Sequence, residues 1–164
     1  MKLALCIVLM LISAKECDKN KTELSNNVVS SETTTEISER KMQDSTRITY
    51  QASTRGFFMR IWFEGDSVMI SKDYNLKEVN RYAFPQEEKE TFLKLLSEID
   101  ETNLPELKAP TSAHRYDGAQ MAWLEITKDE EVYKTNIFDH GKPPKAIYEL
   151  VEKILSIKTM LENQ

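Results

Sequence analysis

One stretch constrains the fold more than any other. It is Gln120–Asp139, two alternating segments joined by the polar turn Lys128-Asp129-Glu130-Glu131. In the first segment Ala122, Leu124 and Ile126 share one face, with Met121, Trp123 and Glu125 on the other. In the second, Tyr133, Thr135 and Ile137 alternate with Lys134, Asn136 and Phe138. A period of two is the signature of a strand. With Asp129-Glu130 at the tip, Ile126 falls opposite Tyr133, Leu124 opposite Thr135 and Ala122 opposite Ile137. Glu125 then meets Lys134, and Met121 meets Phe138. A single register thus yields an apolar face and an opposite-charge pair. The tip lacks Gly and Asn, which leaves the turn type open.

The open end of this hairpin holds the densest polar chemistry in the chain. Ala113-His114-Arg115-Tyr116-Asp117-Gly118 precedes the first strand, and Asp139-His140-Gly141-Lys142-Pro143-Pro144 follows the second. The register sets Ala119 beside His140, so both histidines of the protein gather at one end. His114, Arg115, Asp117, Asp139, His140 and Lys142 are therefore the candidate ligand-binding residues. Two imidazoles and two carboxylates suit a borderline metal such as zinc. Arg115 and Lys142 suit a small anion near the start of the last helix. The competing expectation is structural: Asp117 and Asp139 satisfy turn amides, with Asp139 capping the last helix. No HExxH motif or close His pair supports a metal, and no metal or other cofactor is expected.

Upstream, Ile48 and Tyr50 lie on one face of Arg47–Ala52, and a turn follows at Ser53–Gly56. Phe57, Met59, Ile61 and Phe63 continue that face, with Phe58, Arg60 and Trp62 opposite. Gly65-Asp66 suits a two-residue hairpin loop, after which Val68 and Ile70 lie opposite Phe63 and Ile61. The pattern predicts a three-stranded meander, with a short fourth strand over Val79–Phe84. A helix opens at Pro85, with Glu87 and Glu88 favouring its positive end and Phe92, Leu95, Leu96 and Ile99 as its buried stripe. Thr102–Gly118 reads as a loop. A second helix follows Pro143-Pro144, its stripe formed by Ile147, Leu150, Val151, Ile154, Ile157 and Leu161. Strand runs with tight turns, followed by helices, define an α+β domain over residues 47–164: an antiparallel sheet, made of the meander and the C-terminal hairpin, packed with two amphipathic helices.

Residues 1–16 read as an export signal. Lys2 precedes the apolar run Leu3–Ile12, and Ser13-Ala14 are small. Ten residues of helix rise about 15 Å, too short for a bilayer core of about 30 Å. Cleavage after Ala14 fits the small-residue rule. Leu11–Cys17 also resembles a lipoprotein signal, in which Cys17 would be acylated, although Lys15 and Glu16 stand where that pattern wants small residues. Residues 17–46, rich in Ser, Thr, Asn and Glu, read as a solvated tether. Membrane attachment is thus expected only through a lipid at Cys17, and the location is periplasmic or membrane-anchored.

Both cysteines, Cys6 and Cys17, precede the domain, so no internal disulfide, Cys nucleophile or zinc knuckle is available to it. The 22 basic and 27 acidic residues give a net charge of −5, which argues against nucleic-acid binding. There is no Gly-x-Ser-x-Gly elbow and no phosphate-cradling glycine loop. Enzymatic activity is not expected.

Ile48-Thr49-Tyr50, Arg55-Gly56-Phe57, Asp117-Gly118-Ala119 and Phe138–Pro144 together resemble small exported, lipoprotein-like domains of Bacteroidetes-type bacteria, over roughly residues 47–155. The resemblance implies export and a bacterial envelope setting, and it brings no activity or catalytic residue. The expected function is a tethered binding or accessory module. Its partner would be an envelope protein or a small ligand. One alternative is an anion- or metal-binding protein using loops 113–118 and 139–144. Another is an inhibitor of an envelope hydrolase, presenting Thr102–Gly118 or the Lys128–Glu131 tip. Phe58, Trp62, Met69, Trp123, Met121 and Phe138 share the second sheet face. They are core if a helix covers each face, the preferred expectation, and a partner-binding patch if both helices pack on the other.

Overall fold

The computed structural model describes residues 46–164. The expected export signal, Cys17 and the expected tether up to residue 45 lie outside the described residues. No helix among the described residues is long and apolar enough to cross a membrane.

The chain runs β1 (Arg47–Thr54), β2 (Phe57–Glu64), β3 (Ser67–Ser71), β4 (Asn80–Ala83), α1 (Gln86–Ser97), β5 (Met121–Lys128), β6 (Glu131–Lys134), β7 (Phe138–Asp139) and α2 (Tyr148–Glu162), with short 3-10 turns before β5 and α2. The α+β class stands, but the sheet is larger than the sequence suggests. All strands form one antiparallel sheet in the order β4-β3-β2-β1-β5-β6, with β7 on β5 beyond the end of β6. The meander has four strands, and the hairpin joins it through β1. That strand is therefore central, with Tyr50 opposite Ile61 on one side and Leu124 on the other.

The turns follow local chemistry. Gly56 and Gly65 take positive φ (83° and 56°) in their two-residue loops, the backbone region that glycine enters without a Cβ penalty. At the β5–β6 tip Asp129 and Glu130 both take positive φ, 50° and 70°. Such a pair matches the twist of a tight hairpin, here without glycine.

The hairpin register holds from Lys128 to Thr135: Glu125 faces Lys134 and Ile126 faces Tyr133. The Thr135 amide donates to the Leu124 carbonyl (2.9 Å), and the Leu124 amide donates to the Thr135 hydroxyl (3.1 Å). Beyond Thr135 the expected pairing fails. Ala122 lies opposite Phe138, not Ile137, and Met121 lies opposite Asp139, not Phe138. Likewise the His140 amide donates to Gln120, not Ala119. One extra residue between β6 and β7 shifts the register and exchanges the faces, as a bulge does. Phe138 is fully buried in the core, while Ile137 is 47 % exposed.

Both helices pack on the face of Ile48, Tyr50, Ile61, Phe63 and Leu124. Phe92 of α1 stacks on Phe63 at 4.5 Å, and Glu88 of α1 pairs with Lys153 of α2. The predicted α2 stripe is wholly buried, from Ile147 to Leu161. Each such side chain contributes about 1.5–3 kcal/mol, so this layer dominates stability. The expectation of a helix on each face is corrected: among the described residues no helix covers the second face. Pro85 caps α1 and does not occupy its first turn.

Candidate functional site

The loops at the hairpin's open end come together, but as a brace. Asp139, 1 % exposed, accepts from the Thr111 hydroxyl (2.5 Å), the Ala113 amide (2.8 Å), the His114 amide (2.8 Å) and His114 Nδ1 (2.6 Å). Burial alone would raise its pKa. The Thr111 hydroxyl, the two amides and the imidazole outweigh that and hold the carboxyl well below its usual range. The turn-amide expectation for Asp139 thus describes the geometry, with the amides belonging to the segment before β5. The 3-10 turn that leads into α2 instead has Pro144 at its N-cap, α2 itself has Ile147 there, and neither has a side-chain cap, which corrects the expected capping role. An Asp–His pair is also the orienting half of a catalytic triad. Here the nearby Thr111 hydroxyl donates to the carboxylate and is not poised as a nucleophile.

The remaining candidates diverge. His140 turns to the core side, where its Nδ1 lies 2.7 Å from the Tyr50 hydroxyl and its ring packs near Phe57. Tyr50 is fully buried. Its hydroxyl pKa is raised, chiefly by burial, against the Gly141 backbone hydrogen bond that favours the charged form. With Gly141 donating to the oxygen, the hydroxyl proton goes to His140 Nδ1. The imidazole is then neutral with its own proton on Nε2. Burial, helped by Lys158, lowers the His140 pKa and favours that state. Asp117 is exposed with φ 56° and ends the 3-10 turn Ala113–Tyr116. Arg115 and Lys142 are exposed. Among the described residues no three His, Cys, Asp or Glu side chains converge to hold a metal.

The second sheet face is the richer surface. A hollow of about 420 Å³ is lined by Trp62, Trp123, Arg60, Thr49, Glu125 and Lys134, together with Arg47 and Leu76. Both tryptophans of the chain are here, and both are half-buried. Alternation puts them there. Thr49 pairs with Trp62 and Glu125, while Gln51 pairs with Arg60 and Trp123, so rows run straight across β2, β1 and β5. The Lys134 ammonium sits 3.6 Å from the centre of the Trp123 ring and 3.6 Å from Glu125. The Arg60 guanidinium lies 5.8 Å from the same ring, and its Nε donates to Gln51 (2.9 Å). Arg47 grips Glu64 at 3.0 and 3.1 Å. A second hollow, of about 650 Å³, continues towards the β1–β2 turn beside Phe58, Tyr74, Arg55 and Asp117.

One built loop contributes to both hollows, Leu76 to the first and Lys72, Asp73 and Tyr74 to the second. Asp73 accepts from the Asn75 amide (3.0 Å) and the Lys77 amide (2.7 Å), which lower its pKa. The Ser71 hydroxyl donates to the Glu78 carbonyl (2.7 Å). This frame holds Leu76 at φ 54°, and Leu76 lines the hollow. A left-handed conformation costs a non-glycine residue about 1–2 kcal/mol. Strain of that kind persists where the surroundings over-determine it, and functional sites are where it gathers. Sequence reasoning found the aromatic residues of this face but missed Arg60, Lys134 and Leu76 as members of one site. Alternation and the hairpin register were enough to place Lys134 near Trp123, but Arg60 comes beside that ring only through the β1–β5 pairing, which the sequence pattern does not specify. Nothing in Asn75-Leu76-Lys77 signals the third.

In comparisons with known proteins, no family model matches the chain, and the search of curated proteins finds no match to it.

Proposed function

We propose that the protein is a binding or accessory module without catalysis, exported and tethered to the bacterial envelope, and that the second sheet face is its working surface. The observation that carries this reading is the pair Trp62 and Trp123, half-buried on a face that no helix among the described residues covers. Trp and Arg are enriched in protein interfaces, and Arg60 and Arg81 share the face with the two tryptophans, Met69 lying buried between Trp62 and Arg81. Export and the tether rest on the Lys2–Ala14 pattern and on the resemblance to exported domains. An anchor at Cys17 would leave the domain within reach of envelope proteins. The loops at 113–118 and 139–144 serve this module as its brace.

A photo-crosslinking side chain placed at Thr127, beside Arg47 on this face, tests the reading in intact cells. Discrete crosslinked species from position 127, and none from position 149 on the exposed side of α2, are expected. Equal crosslinking from both positions, or none from 127, would sink it. Palmitate labelling that survives Cys17→Ala would remove the lipid tether.

A further inference from the structure

Resting on that reading of the face, we infer that its occupant is an extended acidic segment of a partner protein, with a carboxylate set against Arg60 between the two tryptophans. The charge of the hollow points to it. The whole chain is acidic, yet Arg47, Arg60 and Lys134 line this hollow against Glu125 alone. Two of the cations have carboxylate partners, Arg47 with Glu64 and Lys134 with Glu125. Arg60 has a neutral one, Gln51, bound through Nε. Its terminal fork is left for a carboxylate, whose two oxygens match it.

Arg60 is also set in advance. The bond to Gln51 and the Trp123 ring fix its side chain before anything binds, which cuts the ordering cost of recognition. The same geometry disfavours a sugar. A glycan site wants a bare aromatic face, but the Trp123 ring already carries the Lys134 ammonium at 3.6 Å. The face is long as well. Along β2, Trp62 and Phe58 are four residues apart, roughly 13 Å of strand. The second hollow adds the cations Arg55 and Lys72 and the exposed ring of Tyr74, beside Asp117 and Asp73, the latter held by the Asn75 and Lys77 amides. An extended segment of about four residues spans that length, with acidic side chains for the arginines and apolar ones for the rings.

Both tryptophans of the protein report on this surface, so the emission of the full chain is the readout. The probes are a short peptide alternating Glu and Val, its Gln-Val counterpart, and polygalacturonate. The expected result is a saturable change in emission with the Glu peptide, weakened by added salt. The Gln peptide should bind at least about tenfold more weakly, as should Arg60→Gln towards the Glu peptide, with its melting temperature retained. Equal responses to the two peptides would overturn the acidic inference and leave the binding face standing. Saturation by polygalacturonate but not by the Glu peptide would overturn it in favour of a glycan. A change on simple dilution would make a second copy the occupant. A response seen only after Glu32, Glu36 and Glu39 are changed to Gln would make it the chain's own N-terminal segment. Silence with every probe overturns the inference; if position 127 also fails to crosslink, the binding face falls with it.

Discussion

The Tyr50 hydroxyl meets His140 Nδ1 at 2.7 Å, joining the central strand to the loop that leads into α2. Tyr50 is fully buried, so this hydroxyl is a polar atom that the core must satisfy. Tyr50→Phe keeps the ring and deletes the contact. It leaves the His140 nitrogen and the Gly141 amide without their partner, and the expected loss is about 1–2 kcal/mol by urea unfolding. An unchanged midpoint would mean that water replaces the hydroxyl at no cost.

The same pair sets a pH dependence. Burial lowers the folded pKa of His140 below the ordinary value of about 6.5, so the unfolded chain takes up the proton more readily. Stability from this group is therefore full above about pH 6.5 and is lost as pH falls through the folded value. His140→Gln should flatten that limb of a plot of melting temperature against pH. A profile with the same slope between about pH 6.5 and 5 would assign the limb elsewhere.

Asp139 adds a second limb, lower down. Its folded pKa is depressed, so its contribution is full above the unfolded value of about 3.9 and disappears as pH falls below it. Asp139→Asn should remove this limb. It should also lower the melting temperature at neutral pH, because an amide cannot accept from a hydroxyl, two backbone amides and an imidazole at once. Loop 111–116 should then open first, seen as faster amide exchange at Ala113 and His114. A uniform change in exchange across the domain would argue against the brace.

Much of this was legible in the sequence, for a reason that particular residues show. Where one face is buried and the other wet, alternation fixes both strand and register: Ile61 with Ile70, Phe63 with Val68, and Glu125 with Lys134 all pair as the pattern requires. The helical stripe of α2 was legible on the same ground. The bulge was not, because Ile137 and Phe138 are both apolar and either suits a core face. Nor was the brace. Asp139 finds its partners some 25 residues back in a segment without periodicity, and spacing carries no trace of such a contact.

The bulge makes its own prediction. In an unbroken register Ile137 would be core and Phe138 would lie on the second face. In the structure Phe138 is fully buried and Ile137 is 47 % exposed. Phe138→Ala should therefore cost about 3–5 kcal/mol. Ile137→Ala should change stability by less than about 0.5 kcal/mol. The reverse order of costs would restore the straight hairpin.

Leu76 separates strain kept for stability from strain kept for binding. It lines the hollow with its backbone held at φ 54° inside the Asp73 frame. Asn tolerates that conformation, so Leu76→Asn relieves about 1 kcal/mol of strain. It also gives up the burial of a half-exposed leucine, a loss of similar size and opposite sign. The two nearly cancel, and the melting temperature should hardly move. Binding has no such compensation, because a polar amide then replaces an apolar side chain in the lining that Leu76 shares with Trp62. The Glu-Val peptide should bind several-fold more weakly to Leu76→Asn at unchanged stability. A variant that is more stable and binds as well as the parent would make the left-handed leucine an accident of the loop, and Trp62 would have to hold its side of the hollow without it.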